Sequence, residues 1–163
     1  RPGPGDVALD LYCGAGLFAG AVAPLVGPEG AVTGIESDAA AVKNARQNLS
    51  AITGEHGPRA TFTKADVAQA ALAGDLPPAR LVIADPPRAG LARELVAYLT
   101  GDSAAGNPPA ERFAYVSCDP ATLARDLALL TAGGWRLEHL RAFDAFPMTH
   151  HVECVATLSR PAG

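Results

Sequence analysis

Short apolar runs alternate along this chain with longer stretches whose apolar residues recur at helical spacing. That alternation predicts the elements. Val7–Tyr12 reads as a strand, and after a glycine-rich turn Leu17–Val26 reads as a helix. Ala31–Glu36 is a second strand, Asp38–Ser50 a helix capped by Asp38, and Ala60–Ala65 a third strand ending at Asp66. Arg80–Asp85 is a fourth strand, stopped by Pro86-Pro87 and followed by a helix over Leu91–Thr100. The strand Arg112–Val116 leads into a helix over Ala121–Thr131, which stops at Gly133-Gly134. Two strand-like runs, Arg136–Phe143 and His151–Ser159, close the chain.

Continuous apolar strands separated by helices predict a mostly parallel, doubly wound α/β sheet with helices on both faces. The last two strands are joined only by Asp144–His150, too short a link for a crossover, so they pair antiparallel. The expected architecture is therefore a seven-stranded, mostly parallel sheet with an antiparallel last strand.

Composition narrows the class. The 163 residues make one domain, 1–163, and 48% hydrophobic with only 18% charged residues excludes a disordered chain. No apolar run reaches membrane-spanning length, and three scattered cysteines give neither a disulfide framework nor metal-ligand spacing. A reducing, cytoplasmic setting is expected. The net charge of −4 disfavours strong unaided binding to a polyanion. The opening Arg1-Pro-Gly-Pro-Gly5 reads as a linker, so the domain is expected to be cut from a longer chain whose N-terminal region grips nucleic acid.

Candidate chemistry collects where strands end. In open α/β sheets ligands bind beyond the carboxyl ends of the strands. Those ends carry Asp10, Tyr12, Cys13, Gly14 and Gly16, then Glu36, Asp66 and Asp85. Gly14 and Gly16 allow a tight turn and close backbone approach, and Glu36 suits the ribose hydroxyls of an adenosyl group. Asp66 suits an adenine amino group or a helix N-cap equally well. The third position of a dinucleotide glycine motif is Ala19, which favours S-adenosylmethionine over a nicotinamide dinucleotide. Cys118 stands between a strand and a helix, with Asp119 as N-cap and Pro120 as first helical residue. The positive end of that helix favours thiolate.

Four segments in order carry a resemblance: Asp10-Leu11-Tyr12-Cys13-Gly14-Ala15-Gly16, Asp85-Pro86-Pro87-Arg88-Ala89-Gly90, the run Ser117–Leu127 beginning Ser117-Cys118-Asp119-Pro120, and Phe146-Pro147-Met148-Thr149-His150-His151-Val152-Glu153. Together they resemble the catalytic domain of the RNA 5-methyluridine methyltransferases, which act on tRNA or ribosomal RNA. The resemblance implies a Rossmann-like fold, S-adenosylmethionine as cofactor and an RNA substrate. It implies Cys118 as nucleophile and Glu153 as proton acceptor. It places Tyr12, Leu17, Glu36, Asp66 and Asp85, with the glycine turn at Gly14 and Gly16, against the cofactor. Leu17 departs from the Asn common in that family, which removes a side-chain hydrogen bond. Arg88 stands where 5-methylcytidine enzymes carry a second cysteine, so uridine is the expected base. It also replaces the aromatic residue usual in enzymes methylating exocyclic amines.

Uracil C5 attacks a methyl sulfonium poorly until a thiolate adds at C6, and H5 must then be removed before the thiol leaves. That chemistry needs one thiolate and one separate base about a flat ring that has left its stack. Phe146 and the Pro147-Met148 turn are candidate stacking surfaces. Two other readings stand beside this one: a catalytically silent module that binds S-adenosylmethionine or RNA, and a methyltransferase acting on something other than uridine. Neither of these uses a paired thiol and base.

Overall fold

The computed structural model describes residues 2–53, 57–102, 110–144 and 152–160. Seven strands form one sheet: β1 (Val7–Leu11), β2 (Ala31–Glu36), β3 (Arg59–Lys64), β4 (Leu81–Ala84), β5 (Arg112–Ser117), β6 (Arg136–Phe143) and β7 (Glu153–Ser159). Five helices connect them: α1 (Leu17–Val26), α2 (Ala39–Leu49), α3 (Val67–Ala73), α4 (Arg93–Thr100) and α5 (Pro120–Ala132). The strand order is β3-β2-β1-β4-β5-β7-β6. β1 to β5 are parallel, whereas β7 lies between β5 and β6 and runs antiparallel to both.

The burial pattern follows from that order. β1 and β4 are central, and all four residues of β4 are buried, as both faces of an interior parallel strand require. Alternate residues feed two cores. Leu9, Leu11, Val82 and Ala84 pack with α3, α4 and α5, while Ala8, Leu81 and Ile83 pack with α1 and α2.

The two margins look different. Only Phe62 of β3 is buried, and every residue of β6 is exposed despite its partly alternating sequence. β6 blunts its open edge with Arg136, Glu138 and Arg141 and with a register shift between Leu137 and His139. No helix among the described residues is long and apolar enough to cross a membrane.

The predicted helix starts hold. Asp38 caps α2 by accepting from the Ala41 amide at 2.7 Å, and Asp119 caps α5 by accepting from Thr122 at 2.8 Å, with Pro120 as the first helical residue. The helix predicted from Leu91 starts at Arg93, after Gly90 and Leu91 have completed a turn closed by the Gly90 amide on the Pro87 carbonyl.

Candidate active site

Because β7 runs antiparallel, its first residue lies at the same edge as the carboxyl ends of the parallel strands. The β5–β7 ladder pairs Ser117 with Cys154. Cys118 directly follows the end of β5 and Glu153 is the first residue of β7, so both stand at that edge. The sheet thus brings together two residues that are 35 positions apart in sequence.

Of the three cysteines, Cys13 and Cys154 are buried and Cys118 is partly exposed. Burial pushes the Cys13 thiol up to about 12, with Asp10 and Glu36 adding to it. Burial and then Glu153 also raise Cys154. Both are therefore poor sources of thiolate. Cys118 directly precedes the Asp119 cap, and the Ser117 hydroxyl accepts from the Asp119 amide at 3.2 Å, fixing the turn beside the thiol.

Asp85 follows β4 and reaches solvent, but crowding at the sheet edge desolvates its carboxylate. That desolvation, followed by the neighbouring Glu153, raises its pKa above the ordinary carboxylate range. Asp85, Cys118 and Glu153 therefore occupy one stretch of the sheet edge.

The other half of the edge is a glycine turn. Tyr12, Gly14 and Gly16 all have left-handed backbone, with φ of 59°, 51° and 86°. At Gly16 that conformation excludes other residues, and an added Cβ would also press on Leu49 and Ala45 of α2. Glu36 braces the turn by accepting from the Gly14 amide at 3.0 Å, and its second oxygen accepts from Ser37 and Asp38. Three of its roughly four acceptor positions are thus used within the protein, leaving one on Oε2. Asn48 of α2 reaches the Ala15 carbonyl from the other side.

Asp66, open between two roles in the sequence, caps α3 by accepting from the Gln69 amide at 2.9 Å. Burial, then Asp66, pushes the Tyr12 phenol up to about 12, so it stays protonated. Leu17, at the start of α1, is 77% exposed although apolar. Gly16, the N-cap residue of α1, has no side chain to cap it, and the Ala19 amide in the first turn is taken by Asp10. A left-handed glycine turn beside an arc of carboxylates fits a cationic sulfonium carrying an adenosyl group.

Phe146, Pro147, Met148 and the His150-His151 pair lie outside the described residues.

The buried carboxylate node of Asp126, described below, was not recognisable from the chain alone. Asp10, named in the sequence for its place at the end of the first strand, is 1% exposed. One of its oxygens accepts from the Ala19 amide at 2.8 Å, and the other, Oδ1, has no partner among the described residues. Burial pushes its pKa up to about 7, and Asp85 adds to the shift.

The sign of that shift makes a prediction. The folded state holds the Asp10 proton up to about pH 7, whereas the unfolded chain releases it near 3.8. Folding is therefore favoured below the unfolded value and loses stability as pH rises between the two. Asp10→Asn removes this slope, so the variant gains on the parent by up to about 4 kcal/mol between pH 4 and pH 7. Denaturant titrations at several pH values read the difference, and parallel profiles would contradict a buried, proton-holding Asp10.

Comparison with known proteins gives a family. The tRNA (Uracil-5-)-methyltransferase family matches residues 77–161, just over half of the chain. The chain belongs to that family. Residues 8–102 also match a general methyltransferase domain. An uncharacterised RNA methyltransferase of Streptomyces coelicolor is 49% identical over 166 residues, covering 99% of this chain and 33% of the relative. One from Gloeobacter violaceus is 44% identical, over 95% of this chain and 31% of the relative. The chain thus spans about a third of the length of the curated relatives it matches.

Among solved structures, TrmN of Thermus thermophilus aligns with a TM-score of 0.65 at 26% identity, covering 97% of this chain and 45% of that one. Fibrillarin of Aeropyrum pernix, solved with bound S-adenosyl-L-methionine, aligns at 0.68 with 15% identity, over 94% of this chain and 67% of that one, a likeness of fold alone. The domain has the Rossmann-like fold of these methyltransferases.

Proposed function

We propose that this domain methylates uridine at C5 in RNA, with Cys118 as nucleophile and Glu153 as base. The observation that supports the reading is the antiparallel β5–β7 pairing, with a partly exposed thiol just after the end of β5 and a carboxylate at the start of β7.

The cofactor supplies an electrophilic methyl group on a sulfonium. The Cys118 thiolate adds to C6 of the flipped uracil, forming a C–S bond while the C5=C6 electron pair moves toward the C4 carbonyl as an enolate. C5 regains that pair and would take the methyl group that S-adenosylmethionine supplies, leaving a neutral thioether. Glu153 accepts H5 as a proton, the C5=C6 bond re-forms, and the Cys118 thiolate departs. Atoms and charge balance without an outside oxidant or reductant, and the step removing H5 gains about 10²–10⁴-fold from a positioned base.

Around this pair, Tyr12, Gly14, Gly16, Leu17, Glu36, Asp66 and Asp85 hold the cofactor. The glycine turn would take its amino-acid portion, Glu36 would take a ribose hydroxyl on its remaining acceptor position, and Leu17 would give an apolar contact. RNA, tRNA or ribosomal, is the substrate, gripped mainly by polypeptide N-terminal to this domain. Arg88, following the paired prolines, leaves the loop without a second thiol and so favours uridine over cytidine.

The test uses full-length protein with unmodified tRNA and ribosomal RNA, S-adenosylmethionine, and nucleoside mass spectrometry. The expected product is 5-methyluridine. Methyl groups found only on cytidine or on exocyclic amines would overturn the assignment.

A further inference from the structure

The Asp126 carboxylate is 0% exposed and receives donors from three separate parts of the chain. Its Oδ2 accepts from the Tyr115 hydroxyl of β5 at 2.6 Å and from the Leu91 amide at 2.9 Å. Its Oδ1 accepts from Nε and Nη2 of Arg125 at 2.9 and 2.7 Å. The same Nη2 reaches the Ala89 carbonyl at 2.9 Å. Arg125 and Asp126 therefore grasp the loop after β4 at two backbone points, Ala89 and Leu91.

That loop begins with Asp85. The helix making the grasp begins directly after Cys118, and Tyr115 lies three residues before Cys118 on the strand that delivers it. The packing leaves no slack. A Cβ at Gly90, where φ is +80°, would run into Thr122, Asp126 and Arg125. A buried carboxylate with four donors is stable only when all of them stay in place, so the node resists distortion more than an apolar contact would.

We propose that Asp126, held by Arg125, is a positioning residue: it fixes the Asp85 loop to the Cys118 helix and so sets the separation of cofactor and nucleophile. The proposal rests on the function proposed above. Supporting groups of this kind, which touch neither substrate nor cofactor, control the geometry of those that do. Their loss typically costs about 10–100-fold.

The test compares Asp126→Asn with Leu130→Ala in the full-length protein. Leu130 is a fully buried residue of the same helix, one turn beyond Asp126. Both variants lose thermal stability, and both are assayed well below their melting temperatures. The first readout is the single-turnover rate of covalent adduct formation on 5-fluorouridine RNA at saturating RNA and S-adenosylmethionine. The second is S-adenosylmethionine affinity by calorimetry, which needs no RNA chemistry.

Asp126→Asn is expected to slow adduct formation by about 10–100-fold and Leu130→Ala by less than about twofold. Equal rates for the two variants would overturn the proposal. If the parent protein forms no adduct, the uridine reading fails, and the affinity decides the positioning role instead. In that case a loss of about fivefold or more in Asp126→Asn alone supports it, and an unchanged affinity overturns it. Should Asp126→Asn not accumulate as folded protein, Arg125→Lys carries the same two readouts. Its side chain is 55% exposed, and the substitution breaks the two-point grasp without leaving a cavity.

Discussion

Cys118→Ala is expected to abolish methyl transfer, lowering turnover on the order of 10⁴–10⁶-fold, the scale of removing a covalent nucleophile. Stability should barely change, because Cys118 is only partly buried and neither fills the core nor caps the helix. The comparison with its two counterparts sharpens the result. Cys13→Ala and Cys154→Ala each remove a buried thiol whose pKa is raised, so they should cost stability and leave the adduct-forming step intact. Cys118→Ser should be nearly as inactive as the alanine variant, since a hydroxyl at neutral pH offers almost no alkoxide to C6. The assay is labelled-methyl incorporation into RNA alongside thermal unfolding. Activity retained in Cys118→Ala would remove the nucleophile from the account.

Glu153→Gln should give a different failure. Addition at C6 and methylation at C5 do not require a base, whereas loss of H5 does. The variant is expected to turn over about 10²–10⁴-fold more slowly and to accumulate a methylated protein–RNA adduct on natural uridine. The parent protein releases that species too quickly to hold it. Denaturing gel electrophoresis after incubation with RNA and labelled cofactor separates the two. A Glu153→Gln protein that is slow but shows no accumulated adduct would place the base elsewhere. The same substitution removes one of the two causes that raise Asp85, so Asp85 should titrate lower in the variant, which a pH profile of cofactor affinity would register.

The elements that proved legible were those fixed by local chemistry. Asp38 and Asp119 announce helix starts through their own side chains, and Pro120 can donate no amide to an earlier turn. The unbroken apolar run of β4 has no other use than an interior strand. Whatever depends on neighbours distant in sequence was not legible. The last two strands announce an antiparallel pair, but nothing in either says that β7 inserts between β5 and β6. That insertion is what brings the start of β7, at Glu153, to the end of β5 that Cys118 follows.

The site shows the same division. The motif residues identify the chemistry, yet their supports are silent in one dimension. An Arg125-Asp126 pair on a helix normally reads as a solvated face, and only the arrival of Tyr115 and Leu91 turns Asp126 into a buried node. Asp66 reads in the sequence as ligand or cap, and the cap on Gln69 uses only Oδ1, so the two roles do not exclude each other. The alternating residues of β6 suggest one buried face, but it is an edge strand and all eight of its residues remain exposed.

The central claim, a covalent bond between Cys118 and C6 of a uridine, has a direct test. Fluorine at C5 cannot leave as a proton, so 5-fluorouridine RNA and S-adenosylmethionine should arrest the full-length protein after methylation. Proteolysis and mass spectrometry of the trapped complex are expected to yield the peptide carrying Cys118 linked to a fluorinated, methylated nucleotide. A trapped nucleotide on any other residue, or no trapped species in an active preparation, would contradict the account.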